Sequence, residues 1–492
     1  MMRSRNLFVL ALGVPIVAAL ALFWRFQGSA VDAQSDSLPR FGVPVVLTGA
    51  DLPILIGAST DEIWGYSYFS SGHGPVGLLP VRVQVDERDD KGIFVEQEDG
   101  ILDENDEVVA MYWSLGQDEL PKEGWPTGIP ADAPAVEVLV TDPLRSFPQD
   151  PRSAAWLYLF AAPEPADLEL GEPIMRHDVS AGFIGSSDYE MVFASARNDG
   201  FIGPKELRAF GSPTDLIDRF KIRMTLIVLF GLRQEVNEED IAAQSGSLGL
   251  TDPPRRLGPL RVILDDQGLN QAYESRVTLF RGAFDDSDLP LGVDGIDAVR
   301  LSLDLSPEAI GNRYYDSNLE AAGVPIDGMP DVVPERPIPD WRWIELPGGK
   351  LIFLPQPGAS DSSAKNLFRD GGDREDGDTG DGRHVGESGV DAASVVAFVE
   401  ADFPGEMIFV RDDYEVDVTK LVAESKAPLA LRVERWGDAP ALVTGTATVA
   451  TRSTPTPTAG ATIGSPTPVE ASPTEGGGDE VQTLYLPWLA RN

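Results

Sequence analysis

Alternation of apolar and polar residues with a period of two recurs along this chain, and it constrains the fold more than any other feature. Val81, Val83 and Val85 alternate with Arg82 and Gln84. Val299, Leu301, Leu303 and Leu305 alternate with Arg300, Ser302 and Asp304, and Leu429, Leu431 and Val433 alternate with Ala430 and Arg432. Successive side chains of a strand point to opposite faces, so the pattern predicts half-buried strands of antiparallel sheets. Ile222, Met224 and Leu226 begin the same way, and the fully apolar run from Ile227 to Phe230 then predicts a central strand. Further strands are expected over residues 136–140, 155–160, 189–194, 260–264, 276–280, 395–399 and 407–411. Helical periodicity is scarce, with short helices expected near 214–219 and 418–425. The fold class that follows is mainly β, built as antiparallel β-sandwiches.

Composition supports this reading. Glycine (49) and proline (40) are abundant, which disfavours long helices and favours short strands joined by turns. The 492 residues exceed the length of one ordinary domain. A β-rich domain is expected over 38–205, a second over 206–355, and a small β module over 392–440. Between them, 356–391 is glycine-rich and acidic, with Asp370, Asp373, Glu375, Asp376, Asp378 and Asp381, and is expected to be a disordered linker.

The formal charge of −40 disfavours nucleic acid and anionic lipid headgroups as partners, and favours divalent cations and basic surfaces. Cysteine is absent, which removes thiol nucleophiles, zinc-thiolate sites and iron–sulfur chemistry. The histidines, His73, His177 and His384, are far apart in sequence and form no HExxH pair.

The densest polar feature runs from Asp86 to Glu107, where eleven acids and two bases lie in 22 residues. Calcium takes about six to eight oxygen ligands, and closely spaced Asp, Asn and Glu around a glycine turn can supply them. The candidate ligands are Asp86, Asp89, Asp99, Asp103, Asn105 and Asp106. Bound calcium would relieve the mutual repulsion of these carboxylates. The match to an EF-hand loop is partial, because Val95 and Gln97 fall where its first two ligands belong. The alternative is a solvated acidic connection with Asx-turns at Asp89, Asp99 and Asp103.

Signals for catalysis are sparse. No nucleophile elbow, phosphate loop or dinucleotide fingerprint occurs. His177-Asp178 with Tyr189 and Arg197 could act as base and charge neutraliser in a polysaccharide lyase. Tyr314, Tyr315, Trp341 and Trp343, beside Asp316 and Asn318, could offer a sugar-stacking face or could belong to a core.

The ends carry addresses. Arg3 and Arg5 precede an apolar run of 18 residues from Leu7 to Trp24, the charge pattern of an export signal or a signal anchor. Val31-Asp32-Ala33 places small residues at the two usual cleavage positions, so residues 1–34 read as a cleaved signal or a retained membrane anchor. Both readings place the rest of the chain outside the cytoplasm. Residues 446–479 hold Thr454-Pro455-Thr456-Pro457-Thr458, Ser465-Pro466-Thr467-Pro468 and Gly476-Gly477-Gly478, the composition of an extended disordered stalk. An apolar tag follows over 484–492, Leu484-Tyr485-Leu486-Pro487-Trp488-Leu489-Ala490-Arg491-Asn492. This ending resembles uncharacterised exported bacterial β-rich surface proteins that finish in a Thr-Pro stalk and a Tyr-Leu-Pro-type apolar tag. The Leu102-Asp103-Glu104-Asn105-Asp106-Glu107 phrase resembles one in such proteins too. The resemblance implies a sorting or attachment signal, and no known activity.

The expectation is an exported or membrane-anchored surface protein with a binding or structural role, whose partner is a polysaccharide or another surface protein. An extracellular lyase or glycoside hydrolase on a β-sandwich scaffold is the alternative.

Overall fold

The computed structural model describes residues 40–436, except 41, 71–76, 96–98, 122–123, 146–152, 166–167, 194–203, 238–255, 266, 280–292, 320–321, 334–335, 356–358, 360–361, 372–383, 395–396, 398–400, 402 and 415. The apolar N-terminal run, the Thr-Pro stalk, the C-terminal tag, His73 and Arg197 lie outside the described residues. No helix among the described residues is long and apolar enough to cross a membrane.

The described chain is mainly β and folds as five antiparallel sheets. One sandwich core lies between a seven-stranded and a nine-stranded sheet. The seven-stranded sheet contributes Phe220, Ile222, Leu301, Leu303 and Val390, and the nine-stranded sheet contributes Ile344, Phe353, Met407 and Phe409. A four-stranded sheet over 176–209 adds Met191 and Leu207 to the same core. A second core lies between a three-stranded sheet, through Val45, Leu47 and Val108, and a five-stranded sheet, through Val138, Leu157, Leu159 and Leu431. Each buried leucine or valine removes enough apolar surface from water to contribute roughly 1.5–3 kcal/mol.

The alternation around Leu301 corresponds to Val293–Leu305, which pairs with Ile217–Val228 on one side and Glu387–Ala392 on the other. Its even-numbered face is polar yet buried at Ser302 and Asp304. The expected strands at 136–140 and 155–160 are Ala135–Thr141 and Ala154–Ala161, paired with each other. The helix Val418–Lys426 begins at Asp417, whose carboxylate accepts the amides of Thr419 and Lys420. It packs Leu421 on Ile352 and Ile408, on the outer face of the nine-stranded sheet.

Several expectations are corrected. The valines 81, 83 and 85 do not form one strand. Gly77–Val81 pairs with Ile63–Phe69 in the five-stranded sheet, whereas Gln84–Asp86 pairs with Glu107–Met111 in the three-stranded one. The chain changes sheets at Arg82 and Val83, and the alternation of residue types runs on across the change although Gln84, Val85 and Asp86 are all buried. The strand Ile217–Val228 is central as expected, with Ile227 and Val228 paired on both sides, but the apolar run ends in a hairpin turn at Leu229 and Phe230. Residues 217–219 are extended, not helical, because Phe220 and Ile222 are claimed by the large core. Ala397 is helical, and its neighbours at 395–396 and 398–399 lie outside the described residues. Lys365–Asp370, inside the expected linker, is a strand between Glu387–Ala392 and Asp331–Val332. Asn366, Phe368 and Asp370 are its buried face.

Among the described residues after 392, no separate sheet forms. Glu406–Arg411 lies between Arg276–Thr278 and Gly349–Leu354, and Ala430–Arg435 closes the edge of Ala135–Thr141. The last described strands therefore stitch together regions far apart in sequence.

Candidate functional site

The acidic connection begins at Asp86, which is fully buried. Its carboxylate receives Arg261 through Nε at 2.8 Å and Nη2 at 2.5 Å, and Arg256 through Nε at 3.2 Å. Gln84 donates to the same carboxylate at 2.7 Å and accepts the amides of Leu260 and Arg261 on its Oε1. Glu107, at the other end of the connection, takes Arg261 at 2.8 Å and Arg88 at 2.5 Å. The guanidinium of Arg88 lies 3.9 Å from the centre of the Phe94 ring. Burial acts to raise the Glu107 carboxyl, but Arg261 and Arg88 outweigh it and hold it below the usual range.

The carboxylates between these ends turn onto the backbone. Asp89 accepts the amides of Lys91 and Ile93, Asp99 that of Ile101, and Asp103 that of Asn105. Asp106 accepts Arg88 N and Asp103 N on its two oxygens. Asn105 donates its side-chain amide to Asp89 O. The connection is also laced to residues 49–60, through Gly49 N to Asp106 O, Ala50 N to Glu104 O and Gly57 N to Leu102 O. Gly49 is required there, because a Cβ would sit 1.7 Å from Asp103 O.

The six expected calcium ligands are thus not brought to one point. Asp89, Asp103, Asn105 and Asp106 share one network, Asp99 forms its own turn, and Asp86 faces arginines. Among the described residues no group of three or more His, Asp or Glu is placed to hold a metal ion. The physical reason is the supply of donors: backbone amides and guanidinium groups already offset the charge that calcium was expected to offset.

The aromatic candidates are part of the scaffold. Tyr314 is fully buried, stacks on Phe368 and donates to Asp316 at 3.0 Å. Tyr315 and Trp343 stack on each other at 3.9 Å, and Trp341 packs into the cluster under the helix. The described members of the lyase set serve the scaffold. Tyr189 is buried and donates to Tyr273 O at 2.7 Å, while His177 stands on the exposed strand Arg176–Asp178. Asp178 is occupied as a cap for Ser180 and Ala181.

A different group converges on the surface. The Trp113 ring, 41% exposed, donates Nε1 to Glu274 Oε2 at 2.7 Å. Glu274 sits in the turn before Arg276–Thr278, and its backbone carbonyl accepts Ser186 Oγ. Asp188, in the turn before Tyr189–Phe193, pairs with Arg411 at 2.8 Å, and Arg411 also donates to Ser187 O at 2.6 Å. Burial, and then the negative charge of Asp188, push the Glu274 carboxyl up, against the pull of its bond from Trp113. Tyr414 lies close enough to feel Asp188, Arg411 and Glu274, and its hydroxyl is pushed up first by burial. Four chain segments therefore place an aromatic face, two carboxylates and a guanidinium in one patch. No local sequence signal marks it, because its members come from separate segments, with the paired Asp188 and Arg411 alone 223 positions apart.

No family model matches the chain, and neither does any curated protein or solved structure.

Proposed function

We propose that this chain works outside the cytoplasm as a β-rich binding protein, and that its ligand seats on the patch formed by Trp113, Glu274, Asp188, Arg411 and Tyr414. The observation that carries the reading is the half-exposed Trp113 ring held by its N–H on a carboxylate, with a second carboxylate–guanidinium pair beside it. An aromatic face flanked by fixed hydrogen-bonding groups suits a sugar ring, whose C–H face stacks while its hydroxyls meet charged acceptors and donors. Export rests on the apolar run from Leu7 to Trp24 after two arginines, and surface attachment rests on the stalk and tag. Calcium is left out of this reading, because the expected ligand carboxylates already face guanidinium groups and backbone amides.

The test is a panel of neutral and acidic polysaccharides titrated against the full chain and against W113A and E274Q. At least one member should bind the wild type, with a loss of tenfold or more in both variants, about 1.4 kcal/mol or more. Binding that is equal in all three proteins would remove the patch from the account. Cell fractionation tests the compartment, and a soluble cytosolic product with intact N-terminus would contradict it.

One observation favours a second reading, as a carbohydrate-active enzyme. Glu274 is raised toward a proton-donating acid while its neighbour Asp188 is ion-paired, a division of roles that glycoside hydrolysis uses. Release of reducing ends from a bound polysaccharide, lost in E274Q, would select it.

A further inference from the structure

A second buried charge cluster lies on the polar face of the seven-stranded sheet, away from the patch. Lys221 stands on Ile217–Val228, Ser302 and Asp304 on Val293–Leu305, and Glu387 opens Glu387–Ala392, which are three neighbouring strands. Lys221 lies opposite Ser302 in the register, and Leu303 opposite Ser388. Phe220, Ile222, Leu301 and Leu303 point into the core, so Lys221, Ser302 and Asp304 share the other face. Lys221 Nζ is 2.6 Å from Asp304 Oδ2, with side chains 5% and 0% exposed. Asp304 Oδ1 accepts Val385 N at 2.9 Å. Glu387 is held by Ser302 Oγ at 2.5 Å and by His384 Nδ1 at 2.7 Å.

We propose that Lys221 and Asp304 condense into an intramolecular isopeptide bond, with Glu387 as the proton-carrying carboxylate. The arrangement has the parts such a reaction needs. A lysine, unlike an arginine, loses its proton when buried and becomes a nucleophile. An ammonium and a carboxylate taken out of water are costly to keep charged, so a proton passes from Nζ to Oδ2 and leaves an amine beside a carboxylic acid. Burial, with the negative charge of Glu387 opposed by Lys221, pushes the Asp304 carboxyl up to about 7. Burial also acts to raise Glu387, but its bond to His384, the charge of Lys221 before its proton moves, and the bond from Ser302 hold it low. The two carboxyl groups are thus driven apart into an acid and a base.

The atoms balance without an outside reagent. The Lys221 nitrogen attacks Asp304 Cγ and forms the C–N bond. The charge that develops on Oδ1 meets the Val385 N–H already pointed at it. Glu387 accepts a proton from the nitrogen and returns it to the Oδ2 hydroxyl. The Cγ–Oδ2 bond then breaks, water leaves, and Glu387 is restored as a carboxylate. Nothing is oxidised or reduced. The 2.6 Å contact between Nζ and Oδ2 holds the amine beside the carboxyl group that carries Cγ, which makes such a step effectively unimolecular. The product ties two adjacent strands covalently in a chain that has no cysteine for a disulfide.

The experiment is mass spectrometry on the purified, folded full chain, with the cooperative melt recorded first. The wild type should be lighter by one water than its unlinked mass. Its digest should contain the Lys221 peptide joined to the Asp304 peptide, with no tryptic cleavage after Lys221. K221R and D304A should give unlinked peptides at full mass, D304N should link with loss of one ammonia, and E387Q should link at least tenfold more slowly. Separate, full-mass Lys221 and Asp304 peptides from a folded wild-type sample would overturn the proposal. Equal linking rates in wild type and folded E387Q would overturn the role of Glu387. The outcome is independent of polysaccharide binding at Trp113.

Discussion

Two buried charge clusters in this protein solve the same electrostatic problem with different cations. Around Asp86 the cations are arginines: Arg261 binds the carboxylate through two nitrogens, Arg256 adds a third contact, and Glu107 shares Arg261 and Arg88. Around Asp304 the cation at 2.6 Å is the ammonium of Lys221. A guanidinium keeps its proton and fits a carboxylate as a planar fork, so the first cluster is a permanent ionic clamp. An ammonium can give its proton away, so the second cluster is open to chemistry. The lesson is that burial of an ion pair does not by itself decide its role; the identity of the cation does.

The largest effect should come from breaking the arginine clamp. D86A leaves Arg261 buried against Glu107 alone and should lower stability by about 3–5 kcal/mol, measured by urea unfolding. The double change D86A with R261M removes the stranded charge and should recover part of that loss. If the double variant is as unstable as the sum of the singles, the two residues do not act as a pair.

Next in size is the backbone packing of the acidic connection. G49A would push a methyl group into Asp103 O and force residues 49–60 away from the connection, a cost of about 1–3 kcal/mol. Hydrogen exchange should then rise at Gly57 and Ala50, which donate to that connection.

The pH dependence separates carboxyls of opposite sign. Glu107 is held low in the folded state by Arg261 and Arg88 against burial, so its contribution is present above its unfolded value and lost as pH falls below it. E107Q should flatten the acid limb of the stability curve. Glu274 is raised by burial and then by Asp188, so it favours folding in acid and that contribution is lost as pH rises through its folded value. E274Q should make the protein relatively more stable at neutral pH than in acid. Urea midpoints of the variants between acid and neutral pH check both signs.

The smallest effect concerns the hairpin tip. Phe230 is 98% exposed and has φ 67°, followed by Gly231 at 73°. A left-handed backbone strains a bulky residue, so F230N should stabilise by up to about 1 kcal/mol in a thermal melt. A loss instead would mean that the ring has a partner.

Much of the fold was legible because strand alternation is local. Val299 to Leu305, Ala135–Thr141 and the helix Val418–Lys426 follow from neighbours within a few residues. Sheet membership was not, since Val81 and Val85 alternate in one rhythm while pairing in different sheets. The apolar stretch marked a central strand as far as Val228 but hid where it ends, because Leu229 and Phe230 are apolar residues of a turn. The acidic connection was located correctly, but its chemistry depends on Arg256 and Arg261, which enter from about 170 positions away with no local mark. The Trp113 and Lys221 groups were invisible for the same reason. Their members are ordinary residues until the register places them side by side.

The most direct test of the acidic connection as an ionic clamp rather than a metal loop is the melting temperature of wild type and D86A, each in excess calcium and in excess chelator. The clamp predicts a large drop in D86A of the same size in both conditions, with the wild type unmoved by calcium. A wild-type melting temperature that rises with calcium, and a D86A drop seen only when calcium is present, would contradict it.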